Sequence, residues 1–344
     1  MKEPKKYTQI RVEASSTCQL RCPSCPTTSK ATLPAIGREY LSLSHFQQLL
    51  DDNPSIEKIE LSNYEEMFLN PDLLEIVRYA NEKEVCLTAN NGVNLNNVKE
   101  EVLEGLVKYN FRRLTVSIDG ASNTTYKQYR VGGSFDAVIR NIKIINAFKE
   151  KYQTKFPVMT WQFIFFRHNG NELYKANKMA KRLDMNFKPK LSWDGELSPG
   201  GRDIARREIG AGSREEYGED YMQEICHQLW DHPQINWDGK VLGGCRNFWG
   251  DFDGNVFRDG LIDALNNEKI NYARDMLLGN NKERDDIPCT TCDIYLGMKA
   301  KGKWLVRNAE RRESGSGVLG FVPDLVKLLA GKLHQARNAL QYRQ

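Results

Sequence analysis

The sequence lacks the features that mark membrane-spanning, secreted and nucleic-acid-binding proteins. No run of about 18 apolar residues is present, so no segment is expected to cross a membrane. The opening residues MKEPKKYTQI carry charge without a following apolar stretch, which argues against a signal peptide. The net charge is only +4, with basic and acidic residues interleaved, so nucleic-acid binding gains no support. These absences predict a cytoplasmic protein.

Cysteine, in contrast, is well represented, with 8 among 344 residues. In a reducing compartment, metal or redox chemistry explains such cysteines better than disulfides do. Cys18, Cys22 and Cys25 form a C-x3-C-x2-C cluster just past the first predicted strand. Three thiolates leave an iron–sulfur cube one protein ligand short, so one iron would be open. A zinc ion completed by a distant residue is the alternative.

The first half of the chain alternates strand-like and helix-like segments. Residues 7–14, YTQIRVEA, alternate apolar and polar side chains with the period of a strand, and five further strand–helix repeats follow to about Trp193. Such repeats predict parallel βαβ units, and six are too few for a complete eight-fold barrel. We therefore expect an α/β fold built on a partial (β/α)6 TIM-like barrel. Two helix starts are predicted from capping patterns, at Ser44 with Gln47 and at Asn70 with Pro71.

Composition divides the chain into four segments. The barrel is expected over residues 1–195, and a Gly-rich, charged linker over 196–222. A smaller domain over 223–312 holds four cysteines and a hairpin signal at Asp238-Gly239. Residues 313–344 are expected to form a flexible break and an amphipathic C-terminal helix. That helix either docks onto the barrel or makes peripheral contact with a membrane.

The cysteine cluster after the first strand of a six-fold β/α barrel resembles the radical S-adenosylmethionine (SAM) superfamily. The resemblance covers residues 8 to about 195 and then the second cysteine unit. It implies that the open iron of a [4Fe–4S] cluster chelates the methionine moiety of SAM. An electron from the reduced cluster then cleaves the S–C5′ bond, and the 5′-deoxyadenosyl radical abstracts a hydrogen atom from carbon. A low-potential flavodoxin- or ferredoxin-type partner is implied as the reductant.

Further motifs assign residues to SAM binding by the same resemblance. In SNYEEMFLNPDL, Glu66 falls on the acidic position of the family's Gly-Gly-Glu motif, although Glu65 and Met67 replace the flanking glycine and proline. TANNG, residues 88–92, is similar to a motif that ends strand three. VSIDG, residues 116–120, matches the strand-four motif, and YRVGGSFDAVIRNI resembles the stretch that follows. Ser24 stands where the family often has an aromatic residue against adenine. The predicted SAM contacts are Glu66, Asn91, Ser117, Asp119 and Arg130.

Four more cysteines, Cys226, Cys245, Cys289 and Cys292, follow in the pattern C-x18-C, a long gap and C-x2-C. Four thiolates satisfy either a zinc ion or a complete iron–sulfur cube, and spacing does not choose between them. The set resembles the twitch form of the SPASM domain, which holds one auxiliary [4Fe–4S] cluster. The resemblance therefore implies two [4Fe–4S] clusters in this chain, the second serving electron transfer.

The reaction is the least constrained of the predictions. Strand parity places polar side chains inside the barrel, which suits a polar substrate better than a sealed apolar core would. The substrate candidates are Glu13, Gln162, Lys190 and Asp194. Cys86 lies mid-strand and is either a buried structural thiol or a hydrogen donor.

Several functions compete at this stage. Dehydrogenation of a sugar or cyclitol is expected first, and the twitch layout is similar to that of an aminocyclitol dehydrogenase. Epimerisation would need a donor such as Cys86 or Tyr217. A peptide-modifying SPASM maturase is a third candidate, although only 17 residues precede Cys18, too few for an N-terminal leader-binding domain. A lipid-linked glycan would suit a membrane-touching helix. A non-enzymatic electron-transfer protein would need neither the open cysteine triad nor the VSIDG strand.

Overall fold

The computed structural model describes residues 6–63, 65–191, 225–244, 247 and 249–306. The chain divides into two compact units, Met1–Lys303 and Trp304–Gln344, and only residues 304–306 of the second are described. The predicted linker at 196–222 and the predicted C-terminal helix lie outside the described residues. The fold below is that of the first unit.

One mixed sheet organises this unit. Its strand order is β6-β5-β4-β3-β2-β1-β7-β8, and the six strands from β1 to β6 pair in parallel with their sequence neighbours. This order confirms the predicted run of six β/α repeats. The strands are β1 (Gln9–Val12), β2 (Lys58–Glu60), β3 (Cys86–Val93), β4 (Arg113–Ser117), β5 (Val158–Phe165), β6 (Asn186–Leu191), β7 (Gln234–Ile235) and β8 (Val241–Leu242).

Helices connect and cover the strands. Up to β6 they are α1 (Leu33–Ile36), α2 (Leu43–Asp52), α3 (Leu73–Glu82), α4 (Glu100–Lys108), α5 (Asn123–Tyr129), α6 (Phe135–Lys151) and α7 (Leu173–Arg182). After β6 they are α8 (Gln228–Asp231), α9 (Val256–Asp259), α10 (Leu261–Leu265), α11 (Glu268–Leu277) and α12 (Asp293–Lys301). Short 3-10 turns lie at Met67–Leu69, Gly170–Glu172, Ile225–His227 and Pro288–Thr291. None of the helices described is long and apolar enough to cross a membrane.

The alternation along β5 shows how the sequence separates the two faces of the sheet. Met159, Trp161 and Phe163 are buried on the face that the helices cover, and α6 presents its apolar stripe to the same layer. Gln162 has the opposite parity and is also buried, with 4% of its surface exposed. A polar side chain is therefore enclosed on the inner face of the barrel.

Two predicted helix starts are wrong. Helix α2 is capped by Ser42, whose hydroxyl accepts a hydrogen bond from the His45 amide at 3.2 Å, and not by Ser44. Helix α3 begins at Leu73, two residues after the predicted start, with Asp72 as its N-cap residue. The Asn70 side chain still accepts from the Asp72 amide at 2.8 Å through its Oδ1 atom. Its amide donates to the carbonyl oxygens of Ala14 at 2.7 Å and Leu41 at 2.9 Å. In both cases a residue close to the predicted one occupies the N-cap position: Ser42 at α2 and Asp72 at α3.

The second cysteine segment joins the barrel sheet through β7. The predicted hairpin is present, with Gly239 in the turn at φ +88° between antiparallel β7 and β8. β7 also pairs in parallel with β1, with hydrogen bonds from the Arg11 amide to Pro233 O and from the Glu13 amide to Ile235 O, both 2.9 Å. The sheet therefore continues past β1 into the segment that the sequence assigned to a separate domain.

Candidate active site

The first cysteine loop follows directly from the carboxyl end of β1. Cys22 is buried, and Cys18 and Cys25 pack against the same apolar cluster. The Cys25 amide donates to Cys22 O at 3.1 Å, which folds the loop back on itself. Active sites of β/α barrels lie at this end of the strands. The three thiols therefore gather at the mouth of the barrel, on an apolar floor formed by Leu20, Tyr129 and Phe166.

The donor chemistry of this loop fits the iron–sulfur cluster that the sequence predicts. Burial raises the pKa of the Cys18 thiol to about 12 and also raises the pKa of Cys22. A bound metal replaces the proton of such a thiol, because it stabilises the thiolate. Polar hydrogens already point at both sulfurs, with Asn94 Nδ2 at 3.8 Å from Cys18 Sγ and Arg130 Nη1 at 3.8 Å from Cys22 Sγ. Within the described ranges, no three His, Cys, Asp or Glu side chains are placed to hold a metal ion, so the fit rests on the donor set of the loop.

Asp119 and Arg130 form a buried ion pair beside the cysteines. Arg130 Nε donates to Asp119 Oδ2 at 2.6 Å, and the other carboxylate oxygen accepts from the Ile164 amide at 2.7 Å. Burial raises the pKa of the Asp119 carboxyl, while Arg130 and the Ile164 amide act in the opposite sense. The guanidinium thus bridges Asp119 and Cys22. Two predicted SAM contacts are brought together with a predicted cluster ligand.

Glu66 lies on the other side of the loop. Its carboxylate accepts hydrogen bonds from the Asn94 amide at 2.5 Å and the Phe68 amide at 3.3 Å. Burial raises the pKa of Glu66 to about 7, although these two backbone donors and Arg130 favour the charged form. Asn94 therefore links Glu66 to Cys18 through its amide and its side chain. This third predicted SAM contact lies in the same region as Asp119 and Arg130.

Glu65, the departure from the family motif, forms a buried carboxyl pair with Glu13. The two side chains hydrogen-bond to one another, which requires a shared proton, and Thr27 Oγ1 donates to Glu65 Oε1 at 3.3 Å. Burial, with Glu13 and Cys25 adding to it, raises the pKa of Glu65 to about 11. Both residues follow the ends of their strands. The pair thus places two buried carboxyl groups in direct contact at the barrel mouth.

A polar network crosses the barrel interior below the mouth. Gln162 Nε2 donates to Ser117 Oγ at 3.3 Å and to the carbonyl of Asn91 at 3.4 Å. Gly92, at φ +115°, lets the β3 backbone bend here, since a Cβ atom at this position would meet Ser117 Oγ. Glu60 fixes the same bend, because its carboxylate accepts from both the amide and the side chain of Asn90, at 2.6 and 2.7 Å. The Ser117 and Gln162 side chains thus occupy neighbouring positions on one face, and the Asn91 backbone carbonyl joins them.

Arg11 and Asn63 extend this network toward β1. Arg11 Nη2 donates to Asn63 Oδ1 at 3.1 Å, and Asn91 Nδ2 donates to the same oxygen at 2.8 Å. Three buried polar atoms of the network have no hydrogen-bond partner: Arg11 Nε, Asn63 Nδ2 and Gln162 Oε1. Unpaired buried polar atoms cost about 1–3 kcal/mol each. Their grouping inside the barrel indicates a place for a ligand with both donor and acceptor groups.

The second cysteine set lines a separate cavity that is partly open to solvent. Cys226, Cys289 and Cys292 all line it, and Cys245, the fourth predicted ligand, lies outside the described residues. Burial raises the pKa of Cys289 to about 12, with Cys292 adding to it. As at the first loop, the described side chains are not placed as a metal-binding group, so the fit to a thiolate-ligated centre rests on the donor set alone. Asn247 lines the same cavity, and among the described residues neither of its side-chain polar atoms has a hydrogen-bond partner.

The remaining predicted residues are dispersed. Cys86 is the first residue of β3 and pairs in register with Lys58, so it lies at the amino end of the strands, opposite the cysteine loop. Lys190 lies half-buried on β6 beside Ile164. Asp194 and Tyr217 lie outside the described residues. The structure therefore places Glu66, Asp119 and Arg130 around the first cysteine loop. Ser117 lies beside Gln162 and Asn91 beside Asn63, and Cys86 lies at the opposite end of the strands.

Several residues of the site were not predicted. Glu65, Asn94 and Tyr129 contact the first cysteine loop or its partners, and Asn63 and Asn247 carry unpaired polar atoms. The only sequence signal for Glu65 is its replacement of a glycine that the family usually has. Nothing in the local sequence distinguishes the asparagines, because their roles depend on partners brought together by the fold.

Comparison with known proteins finds a family match within the barrel. Residues 12–155 match the family model of the Radical SAM superfamily. The AdoMet-dependent heme synthase of Methanosarcina barkeri (strain Fusaro / DSM 804) is 29% identical over 177 residues. The matched segment covers 51% of this chain and 47% of that relative. The chain thus spans about half the length of the curated relative it matches.

Solved structures share the fold at low sequence identity. SuiB of Streptococcus suis bound to S-adenosylmethionine superposes with a TM-score of 0.58 at 13% identity, over 84% of this chain and 71% of SuiB. The protein anSMEcpe with bound AdoMet gives a TM-score of 0.53 at 15% identity, over 83% of this chain and 86% of that chain. At these identities the likeness shows the fold alone.

Proposed function

Since residues 12–155 of this chain match the family model of the Radical SAM superfamily, we propose that the protein is a radical SAM enzyme with a polar substrate. The observation that carries the proposal is the gathering of Cys18, Cys22 and Cys25 at the barrel mouth, beside the Asp119–Arg130 pair. The same end of a β/α barrel receives substrates. A cluster held there would therefore face the bound substrate.

The residues of the chain divide the work of binding the cofactors. Cys18, Cys22 and Cys25 would hold the SAM-binding [4Fe–4S] cluster, and the four later cysteines would hold the auxiliary one. When bound, the first cluster supplies the electron that cleaves SAM to methionine and a 5′-deoxyadenosyl radical, and the auxiliary cluster accepts the electron that the substrate loses.

SAM would be oriented by charged groups of opposite sign around the cysteine loop. Arg130 can bind the methionine carboxylate through a charge-assisted hydrogen bond, since only its Nε is committed to Asp119 and its Nη1 already points toward Cys22. Glu66, whose carboxylate oxygens accept from the Asn94 and Phe68 amides, offers an acceptor for the methionine ammonium group. Asn91, Ser117 and the apolar floor complete the enclosure. The chain thereby positions SAM and excludes water from the radical.

The substrate would bind in the polar network of the interior. Arg11 Nε and Asn63 Nδ2 offer donors, and Gln162 Oε1 offers an acceptor, all buried and unpaired. A sugar or cyclitol presents hydroxyl groups that donate and accept at close spacing. Dehydrogenation of such a substrate is our first candidate reaction. The carbinol loses a hydrogen atom to the deoxyadenosyl radical, then a proton and an electron, which yields a ketone, methionine and 5′-deoxyadenosine. The electron used to cleave SAM is thus recovered.

Epimerisation is the alternative outcome for the same substrate radical. It requires a hydrogen atom donor on the opposite face of the substrate. Cys86 lies at the amino end of β3. The cysteine loop and Gln162, which pairs with Ser117 at the carboxyl end of β4, lie toward the other end of the strands. This position favours dehydrogenation over epimerisation by Cys86.

A peptide is the second candidate substrate class. SuiB has been solved with the precursor peptide SuiA, and anSMEcpe with AdoMet and the Cp18Cys peptide, and both share this fold. The shared fold makes a peptide a candidate substrate for this chain, with neither the peptide's sequence nor its modified residue specified. A flavodoxin- or ferredoxin-type reductant, and a cytoplasmic location, remain part of the proposal.

The proposal is tested on anaerobically reconstituted protein. We expect about eight irons per chain in the wild type and about four in a Cys18/Cys22/Cys25→Ala triple variant. With dithionite and SAM, the wild type should form 5′-deoxyadenosine and the triple variant should not. Cys86→Ala, which removes one thiol away from both cysteine sets, is the matched control and should keep iron and nucleoside formation.

The outcomes separate the candidates. If both clusters are present and no 5′-deoxyadenosine forms, the enzyme hypothesis would be rejected in favour of an electron-transfer protein. If the wild type holds about four irons and a zinc ion per chain, the radical enzyme hypothesis would stand, but the second site would have no redox role. Where nucleoside forms, sugars and cyclitols deuterated at carbinol carbons, and then candidate peptides, are compared for transfer of the label into 5′-deoxyadenosine.

A further inference from the structure

Asn247 carries a buried side-chain amide. Only 4% of its surface is exposed, and within the part of the chain that the structure describes neither Oδ1 nor Nδ2 has a hydrogen-bond partner. An amide buried in this way costs about 1–3 kcal/mol unless a ligand satisfies it. Its side chain lines the cavity that Cys226, Cys289 and Cys292 also line.

The backbone around Asn247 holds the amide in place. Its amide nitrogen donates to Gly244 O at 2.7 Å, and its carbonyl accepts from the Gly243 amide at 3.2 Å. A Cβ atom at Gly243 would lie 2.7 Å from Asn247 Cβ, and one at Gly250 would lie 2.9 Å from Asn247 Oδ1. Two glycines thus leave room for this side chain on either side. The arrangement fixes an amide at the wall of the cysteine cavity.

The cysteines that line the cavity indicate which kind of ligand could form hydrogen bonds with Asn247. Sulfides and thiolates of an iron–sulfur cluster are acceptors with negative charge, and an amide N–H is a suitable donor to them. We propose that Asn247 Nδ2 donates a hydrogen bond to a sulfur of the auxiliary cluster and raises its reduction potential. The proposal rests on the auxiliary cluster of the proposed function. A donor raises the potential because the reduced cluster carries more negative charge and gains more from the bond.

The test uses the full chain carrying Cys18/Cys22/Cys25→Ala, so that only the auxiliary cluster contributes to the spectra. Its midpoint potential is measured by anaerobic redox titration followed by electron paramagnetic resonance. Asn247→Leu removes the donor at similar volume, and Asn247→Asp removes it while adding negative charge. Asn280→Leu makes the same chemical change at an exposed turn and is the matched control.

We expect Asn247→Leu to shift the redox equilibrium about tenfold toward the oxidised cluster, a fall of about 59 mV for a one-electron couple. Asn247→Asp should lower the potential at least as far, and it decides the question if the leucine variant does not load iron. Asn280→Leu should leave the potential unchanged. The parent should also show an exchangeable deuteron coupled to the cluster in deuterated water, and this coupling should be lost in the leucine variant.

Two results would overturn the proposal, and they are distinguishable. Unchanged potentials and deuteron coupling in both Asn247 variants, with the cluster present, would refute the role of Asn247 alone. A parent chain with zinc or no metal in place of about four irons would refute the auxiliary cluster, and the hydrogen bond with it.

Discussion

At the scale of single residues, the Glu13–Glu65 pair has a consequence for stability. Glu65 keeps its proton in the folded protein, where its pKa is raised to about 11, and releases it on unfolding, where the ordinary value is 4.5. Since the folded state then binds more protons, the stability contributed by this group is present below pH 4.5 and is lost progressively as pH rises toward 11.

We predict that Glu65→Gln flattens this dependence. The amide can still donate to Glu13 but no longer titrates. Between about pH 6 and about pH 8, the slope of unfolding free energy against pH should change by up to about 1.4 kcal/mol per pH unit relative to the wild type. Urea unfolding under anaerobic conditions, at matched iron content, measures it. Glu75→Gln on the exposed face of α3 is the control. Equal slopes in the wild type and Glu65→Gln would show that Glu65 is ionised at neutral pH.

At the scale of elements, the bend in β3 depends on one glycine. Gly92 has φ +115°, and a Cβ atom there would collide with Ser117 Oγ and lie 3.1 Å from Gln162 Nε2. We predict that Gly92→Ala destabilises the protein by about 1–3 kcal/mol, because backbone strain adds to the displacement of the interior network. Chemical denaturation measures this loss.

Gly297 provides the opposite case for comparison. It lies inside α12, where a Cβ atom would meet nothing within 4 Å. Gly297→Ala should therefore raise stability by about 0.5–1 kcal/mol, since alanine loses less conformational freedom in a helix. If the two substitutions had equal effects, the positive φ of Gly92 would not be a requirement of the bend.

The elements themselves were largely predictable, and their termini were not. Alternation such as that of Met159, Trp161 and Phe163 depends only on which face of a strand is buried, so local sequence carries it. The predicted start of α3 was two residues early, although Asn70 Oδ1 does accept from the Asp72 amide, and the bonds from Asn70 Nδ2 to Ala14 O and Leu41 O, which are distant in sequence, were not predicted. Cysteine spacing predicted the first loop for the same local reason. Glu65 and Asn94 were missed because their burial and partners arise only when the strands assemble.

At the scale of the whole molecule, the second cysteine segment is held to the barrel by more than β7. The Arg274 guanidinium donates to Leu229 O at 2.6 Å and to Tyr7 Oη at 3.0 Å, so α11 is tied to the residues that precede β1. Trp237 Nε1 donates to Ile36 O at 2.6 Å. Arg274 and Tyr7 lie 267 positions apart, and Trp237 and Ile36 lie 201 positions apart, so no local pattern predicts these two contacts.

We therefore predict that residues 1–195 do not fold on their own. Without β7, the Arg11 and Glu13 amides lose their partners and β1 becomes an exposed edge next to buried polar groups. A chain ending at residue 195 should aggregate or bind a hydrophobic dye, whereas a chain ending at residue 303, where the first compact unit ends, should stay monomeric and unfold cooperatively. Size-exclusion chromatography and circular dichroism during denaturation compare the two. A monomeric, cooperatively unfolding 1–195 chain would show that the barrel is an independent domain, and that the β1–β7 pairing only docks a second one. If the 1–195 chain aggregates and the 1–303 chain does not, the barrel sheet needs β7 to be stable, and the second cysteine segment is part of that sheet.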